Sequence, residues 1–151
     1  MTKVGLVLVA ALLLVGCSAK KQQPLSKSGY ERTLKATIGS LNTKLTQLSF
    51  AAGIAPEVAA ARIEQIQKDF RAAAGRLDKV GPPANVQSAH DQLIDGLREF
   101  ADALDQGREA AKQGKPEELR EFQEGLGRAP STRKLRRALG RLQDAGYSPG
   151  F

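Results

Sequence analysis

Apolar residues recur at spacings of three and four over most of this chain, the pattern of amphipathic helices that pack through one face. The alternation of apolar and polar residues that marks a half-buried strand is absent, so no sheet is expected. Each stripe of apolar residues predicts one helix with a buried face. The three clearest stripes are Tyr30, Leu34, Ile38, Leu41, Leu45 and Leu48; Ile63, Ile66, Phe70, Ala73, Leu77 and Val80; and Leu93, Leu97, Phe100 and Leu104.

Glycine and proline occupy the breaks between these stripes, where helices end and begin. Gly53 and Pro56 separate the first two helices, GPP at 81–83 separates the second from the third, and GKP at 114–116 precedes the fourth. Connectors this short make consecutive helices antiparallel neighbours. The third helix, predicted from Ala84 to Gln113, would be about 45 Å long.

The last helix is interrupted by Gly125, Gly127 and Pro130, and a proline inside a helix costs about 3 kcal/mol. We therefore predict two segments, Glu117–Leu126 and Ser131–Ala145, the second capped by its own first residue. The expected fold is all-α, an elongated antiparallel up-down bundle of about four helices with the last one bent or split near Pro130.

Several glycines fall inside the predicted helices, where each costs roughly 1 kcal/mol relative to alanine. We expect them to permit close approach of neighbouring helices, with a ligand bound between the backbones as the alternative. They are Gly39, Gly75, Gly96, Gly107 and Gly140.

The amino terminus has the layout of an export signal. An uncharged apolar run from Val4 to Val15 follows Lys3, and it is shorter than the roughly 20 residues that a spanning helix needs. The next residues, Leu14-Val15-Gly16-Cys17, resemble the lipobox of bacterial lipoprotein precursors. The resemblance implies cleavage after Gly16, lipid on the Cys17 sulfur and a further acyl chain on its amine.

Two or more acyl chains give a stable membrane anchor, whereas one gives marginal binding. The mature protein is therefore expected at the cell membrane, on its extracytoplasmic face, or on a periplasm-facing leaflet if the cell is Gram-negative. The implied organisation is a signal peptide at 1–16, a polar tether at 17–27, a helical bundle at 28–146 and a tail at 147–151. The alternatives are an ordinary signal peptide with an incidental cysteine, or a buried thiol at Cys17.

The sequence offers little for catalysis or metal binding. His90 is the only histidine, and it lies on an apolar stripe. One interpretation is a pH switch or metal ligand; the other is a partly buried side chain with one hydrogen bond. Carboxylates on the third helix lie off the apolar stripe and are expected to be solvated. The Glu-x-x-His pairs of di-iron bundles and the Cys-x-x-Cys-His of haem attachment are missing. We expect no catalytic residues, no metal, no cofactor and no enzyme activity.

The sharpest charge feature is a run near the carboxyl end with six cations and no acid, in a chain of net charge +7. We expect no nucleic-acid partner, because an exported chain rarely meets nucleic acid and aromatic stacking residues are missing from the run. Two interpretations remain: a patch facing anionic lipid headgroups or cell-wall polymer, or cations paired with the acidic side of the third helix. The six residues are Arg128, Arg133, Lys134, Arg136, Arg137 and Arg141.

The segment LDKVGPPANVQSAHDQLIDGLREFADAL resembles the hinge of small helical lipoproteins of high-GC Gram-positive bacteria that have no assigned activity. The matching positions are Gly81, Pro82, Pro83 and His90. The resemblance implies a secreted helical domain and adds no catalytic residue. The predicted function is a binding or scaffolding module for an envelope protein. The alternatives are a carrier of an apolar ligand and a hydrolase of envelope polymer.

Overall fold

A computed structural model describes residues 23–48 and 54–150, and the predicted lipobox with Cys17 lies outside these ranges. Within them the chain forms helices and no named strand, with one isolated bridge between Pro24 and Gly81. A 3₁₀ turn at Ala84–Val86 precedes the third helix. The α-helices are α1 (Lys27–Leu48), α2 (Pro56–Leu77), α3 (Gln87–Lys112), α4 (Pro116–Leu126) and α5 (Pro130–Asp144).

Three of these helices begin at a proline, namely Pro56, Pro116 and Pro130. Proline is favourable there because the first turn leaves backbone N–H groups unbonded in any case. The predicted cap at Ser131 is wrong, because α5 begins one residue earlier and Ala129 holds the N-cap position without a side-chain bond. Ser131 is instead buried, and its hydroxyl has no hydrogen-bond partner.

The third helix also begins later than predicted. Ala84–Val86 forms a 3₁₀ turn, and the α-helix runs from Gln87 to Lys112 rather than from Ala84 to Gln113. Pro83 precedes this turn with extended backbone angles, which a proline adopts readily and which delay the regular helix. Residues 146–150 leave the last helix, as expected.

Helices α2 and α3 pack antiparallel at the centre of the bundle. The Gln67 side chain donates to the Ala101 carbonyl at 2.9 Å, and nearer the other end Arg98 pairs with Asp78 at 3.2 Å. Between these contacts the rings of Phe70 and Phe100 stack with centroids 4.6 Å apart. The buried faces follow the second and third predicted stripes, with Val80 only half-buried.

Helix α1 packs antiparallel against α2. Lys44, near its end, pairs with Asp69 at 2.9 Å, while Tyr30, near its start, lies beside the other end of α2. Tyr30, Leu34, Ile38 and Leu41 are buried and Leu45 is half-buried, as the first stripe predicts; the side chain of Leu48 lies outside the description.

Helices α4 and α5 form the fourth element, bent at residues 127–129, which runs antiparallel along α3. Two glycines of α3 lie directly beneath it. A Cβ on Gly107 would lie 2.4 Å from the Phe122 ring, and one on Gly96 would lie 2.9 Å from Leu135. The predicted close approach is therefore found at these two glycines, but the prediction is wrong for Gly75 and Gly140, where a Cβ would meet nothing within 4 Å. The prediction of an all-α bundle with a bent last helix is confirmed.

Candidate binding surfaces

One end of the bundle gathers the start of the described chain and its carboxyl-terminal tail; we call it the tether end. Leu25 donates its backbone N–H to the Gly81 carbonyl at 2.8 Å. Tyr147 of the tail donates its hydroxyl to Asn85 at 3.1 Å and packs edge-on against Tyr30, with ring centroids 5.6 Å apart. The tail therefore ties α1 to the turn before α3.

His90 lies inside the tether end and is almost fully buried. Its Nδ1 is 2.9 Å from the Tyr30 hydroxyl, and its Nε2 is 3.1 Å from the Leu77 carbonyl. Because a carbonyl only accepts, Nε2 carries the proton of the neutral ring and Nδ1 accepts from the tyrosine. Burial lowers the pKa of His90, although Asp91 opposes this shift, and burial also raises the pKa of Tyr30.

This network places His90 in the core, where its ring joins three helices. The sequence predicted a side chain with one hydrogen bond, and the ring makes two. A metal ligand would need neighbouring donor side chains. Across residues 23–48 and 54–150, no group of three or more His, Cys, Asp or Glu side chains is arranged to hold a metal ion.

The six predicted patch cations lie on α5 and in the bend before it, and they divide into two groups. Lys134 turns toward α3, where it bonds Glu99 at 2.5 Å and lies 3.8 Å from Asp95. The hydrogen bond to Glu99 raises the pKa of Lys134. Pairing with the acidic side of α3, one of the two interpretations, therefore describes this lysine.

The remaining patch residues are exposed arginines without a carboxylate partner in the described part of the chain. Arg133 and Arg136 donate to the backbone carbonyls of Arg128 and Gly127, at 2.6 and 2.5 Å. Arg141 donates to the neutral Gln92 at 2.7 Å. The solvent side of α5 therefore carries positive charge that no carboxylate among the described residues neutralises.

The carboxylates of α3 lie on its solvent side, as predicted, and several pair with cations from other helices or from later turns. Asp102 pairs with Arg71 of α2 at 2.9 Å, and Asp105 pairs with Arg108 one turn later at 3.0 Å. Such exposed pairs contribute little to stability.

A groove of about 640 Å³ lies between α3 and α4, toward the end of the bundle opposite the tether end. Its wall has small and apolar residues beside acidic ones. Two of the carboxylates at the rim are ion-paired: Glu118 with Lys115 at 2.9 Å, and Asp102 with Arg71. The lining residues are Asp102, Ala103, Gln106, Ala110, Glu118, Glu121, Phe122, Gly125, Leu126, Ala129 and Pro130.

A second opening separates α1 from α5, over a floor formed by α2 and α3. It is apolar, with Leu45, Leu135 and Leu139 half-buried along its sides, and its volume is about 70 Å³. Small-molecule sites usually occupy about 300 Å³ or more. Sequence reasoning missed both openings, because grooves arise from the spacing between helices rather than from any one helix.

Comparison of the chain with protein-family models, curated proteins and solved structures gives no match. The lipobox at Cys17 and the hinge resemblance at Gly81, Pro82, Pro83 and His90 therefore remain predictions from the sequence. Among the described helices, none is long and apolar enough to cross a membrane.

Proposed function

We propose that this chain is a bacterial lipoprotein, anchored through Cys17 on the extracytoplasmic face of a membrane, whose bundle binds an envelope protein. The observation that carries the proposal is the order of the amino-terminal residues: an uncharged apolar run, then Leu14-Val15-Gly16-Cys17, then polar chain. The bundle follows within a few residues, because Leu25 already bonds Gly81 at the tether end.

The binding site that we propose is the groove between α3 and α4. It lies at the end away from the tether, where a membrane-anchored module remains accessible to a partner. Its apolar wall includes Phe122 and Leu126, and its rim carries Asp102, Glu118 and Glu121. A more apolar centre surrounded by a polar rim is the usual arrangement of a protein interface. The complementary partner is a segment with apolar side chains flanked by lysine or arginine.

A non-catalytic role is part of this proposal. The imidazole of His90 is buried and engaged by Tyr30 and the Leu77 carbonyl, so it is not presented to a substrate. The carrier alternative has weaker support, because the apolar opening between α1 and α5, at about 70 Å³, is too small for a lipid chain.

The test compares partner capture by three full-length proteins from detergent-solubilised envelope. Gly125 lines the groove, and a Cβ built there meets nothing within 4 Å, so Gly125→Trp fills the groove without a clash at the backbone. Gly75→Trp on α2 is the matched control, because its Cβ also meets nothing within 4 Å. We expect wild type and Gly75→Trp to retain one envelope protein that Gly125→Trp loses. Equal capture by all three proteins would contradict a partner site in the groove.

A Cys17→Ala variant tests the anchor separately. The wild-type protein should be found in the membrane fraction in processed form, released by detergent and not by salt. Cys17→Ala should retain the uncleaved signal segment, because the lipidated cysteine is needed for the implied cleavage. Identical processing of both proteins would contradict the lipoprotein assignment.

A further inference from the structure

We propose that the outward face of α5 binds the anionic headgroups of the membrane that carries the protein, so that the bundle lies with α5 against the bilayer. We call this surface the α5 basic face; it comprises Arg133, Arg136, Arg137 and Arg141, with Arg128 in the adjoining bend. The inference rests on the proposed anchor at Cys17 and adds an orientation to it.

The charge of this face is not neutralised within the described bundle. Lys134, on the side of α5 that faces α3, takes the contacts with Glu99 and Asp95. Three of the arginines have hydrogen-bond partners, and these partners are uncharged: Arg133 and Arg136 bond backbone carbonyls, and Arg141 bonds Gln92. Elsewhere the exposed cations of α3 and α4 are paired; Arg98 pairs with Asp78, and Arg120 with Glu117 and Glu124. The α5 basic face therefore differs from the mixed-charge surfaces of α3 and α4 beside it.

The same face lies close to the point where the tether joins the bundle. Helix α5 runs toward the tether end, because Tyr147, just beyond it, bonds Asn85 in the turn that follows Gly81. Arg141 is therefore about one turn from that end, and the whole of α5, at 15 residues, extends about 22 Å from it.

The tether limits how far this end can rise from the membrane. Six residue steps separate Cys17 from Gln23, the first described residue, and even fully extended they span at most about 21 Å. The tether keeps the basic face near the headgroups, and once the bundle comes to the bilayer the face lies within the negative surface potential, which acts over roughly 8 to 10 Å at moderate salt. Charge and position thus favour a lipid surface over a soluble anionic partner.

The outward side of α5 is also open at Gly140. A Cβ on Gly140, which lies between Arg137 and Arg141 in sequence, would meet nothing within 4 Å. Arg133, Arg136, Arg137 and Arg141 are themselves exposed, so headgroups can reach them. Asp144 is the one acidic residue of α5 and lies at its carboxyl end.

The experiment measures how exposed α5 is when the processed, lipidated protein is inserted into nanodiscs. Cys17 is the only cysteine, and lipid on its sulfur leaves none for labelling, so Gly140→Cys accepts a single nitroxide. Gly75→Cys on α2 is the matched control, because both positions have open space around the Cβ. The readout is the accessibility of the nitroxide to a water-soluble nickel chelate, in discs of phosphatidylcholine alone or mixed with phosphatidylglycerol.

We expect the label at residue 140 to lose most of its accessibility in the anionic discs and to regain it in neutral discs or at high salt. The label at residue 75 should not change. Each cation near an anionic surface contributes about a fivefold preference. Arg133→Gln, Arg136→Gln and Arg137→Gln together should therefore reduce the docked population about a hundredfold and restore the accessibility of residue 140.

Two further variants separate charge from bundle structure. The triple arginine-to-lysine variant at 133, 136 and 137 keeps the charge and should dock like wild type. Replacing Arg62, Arg76 and Lys79 by glutamine removes the same charge from exposed residues of α2 and the turn after it, and should leave docking unchanged. Loss of docking in this last variant would overturn the assignment to α5, because net charge or cations elsewhere at the tether end would then explain the effect.

Equal accessibility of residue 140 in neutral and anionic discs would overturn the inference. A second result would also overturn it: the arginines bind an anionic cell-wall polymer while residue 140 stays exposed on the anionic bilayer. Failure of the anchor itself is distinguishable, because the protein would then lack the lipid mass and would not enter the discs. That outcome removes the tether and overturns the inference together with the proposed function.

Discussion

Replacing Gly107 by alanine tests how closely α4 approaches α3. The added Cβ would lie 2.4 Å from one carbon of the Phe122 ring and 2.5 Å from another. Carbon atoms pack at about 3.5 Å, so the ring or the helix must move by roughly 1 Å. Phe122 is almost fully buried, and the space open to its ring is the groove between α3 and α4, so relief of the contact requires the ring to leave its packed position.

Two opposing terms set the size of the effect. Alanine in a helix interior is favoured over glycine by about 1 kcal/mol, whereas forcing extra volume into a packed site costs about 1 to 3 kcal/mol. Gly107→Ala should therefore lower the unfolding free energy by up to about 2 kcal/mol. Gly75→Ala, with open space around its Cβ, should raise the unfolding free energy by about 0.5 to 1 kcal/mol.

The measurement is urea denaturation of the chain from Ser18 onward, followed by far-ultraviolet circular dichroism. The two alanine variants share the same change in helix propensity, so the difference between them isolates the steric term, about 1 to 3 kcal/mol. In a Phe122→Ala background that term should vanish, and Gly107→Ala should become stabilising. If Gly107→Ala stabilises the protein as much as Gly75→Ala does, the close packing of α4 on α3 is refuted.

The remaining predictions concern the centre of the bundle and its tether end. Leu97→Ala removes a buried side chain of α3 and should lower the unfolding free energy by about 2 to 5 kcal/mol in urea denaturation; a loss below about 0.5 kcal/mol would mean that α3 is not central. The lowered pKa of His90 means that the unfolded chain binds more protons than the folded one below the ordinary histidine pKa. Stability should thus be complete above about pH 6.5 and fall below it, by at most about 1.4 kcal/mol per pH unit. His90→Gln should flatten this fall between about pH 7 and 5.5; an unchanged profile would show that the histidine is not responsible.

The positions of the helices could be predicted from the sequence, because a helix with one buried face repeats apolar residues at spacings of three and four. Tyr30, Leu34, Ile38 and Leu41 are buried at the predicted spacing, and Pro56 and Pro116 start helices where expected. The errors fall at helix ends. The hydroxyl of Ser131 could cap a helix, but α5 already begins at Pro130. The Ser131 side chain is therefore inside the helix and is buried against the bundle.

The surfaces were harder to predict, since they depend on which helix faces which. The sequence left open whether the basic run pairs with α3 or faces outward, and the structure divides it between Lys134 and the arginines. The rotation of α5 about its own axis decides this, and a stripe of leucines defines that rotation only approximately. The groove between α3 and α4 depends on the bend at 127–129, whose angle no sequence motif specifies.

The surfaces proposed for the two roles adjoin at the bend between α4 and α5 and extend from it in opposite directions. The α5 basic face lies toward the tether end, and the groove lined by Phe122 and Gly125 lies toward the other end. A module held to a membrane through Cys17 and α5 would keep the groove free for a protein partner. Variants in the groove and on α5 should therefore affect partner capture and membrane contact independently.

The most direct test of the lipid anchor is the intact mass of the amino-terminal peptide of the protein purified from membranes. The account predicts a peptide that begins at Cys17 and carries a diacylglyceryl group on the sulfur, with an additional acyl chain on the amine. A peptide that contains Gly16 joined to an unmodified Cys17, or a chain that begins elsewhere with a free thiol, would contradict it.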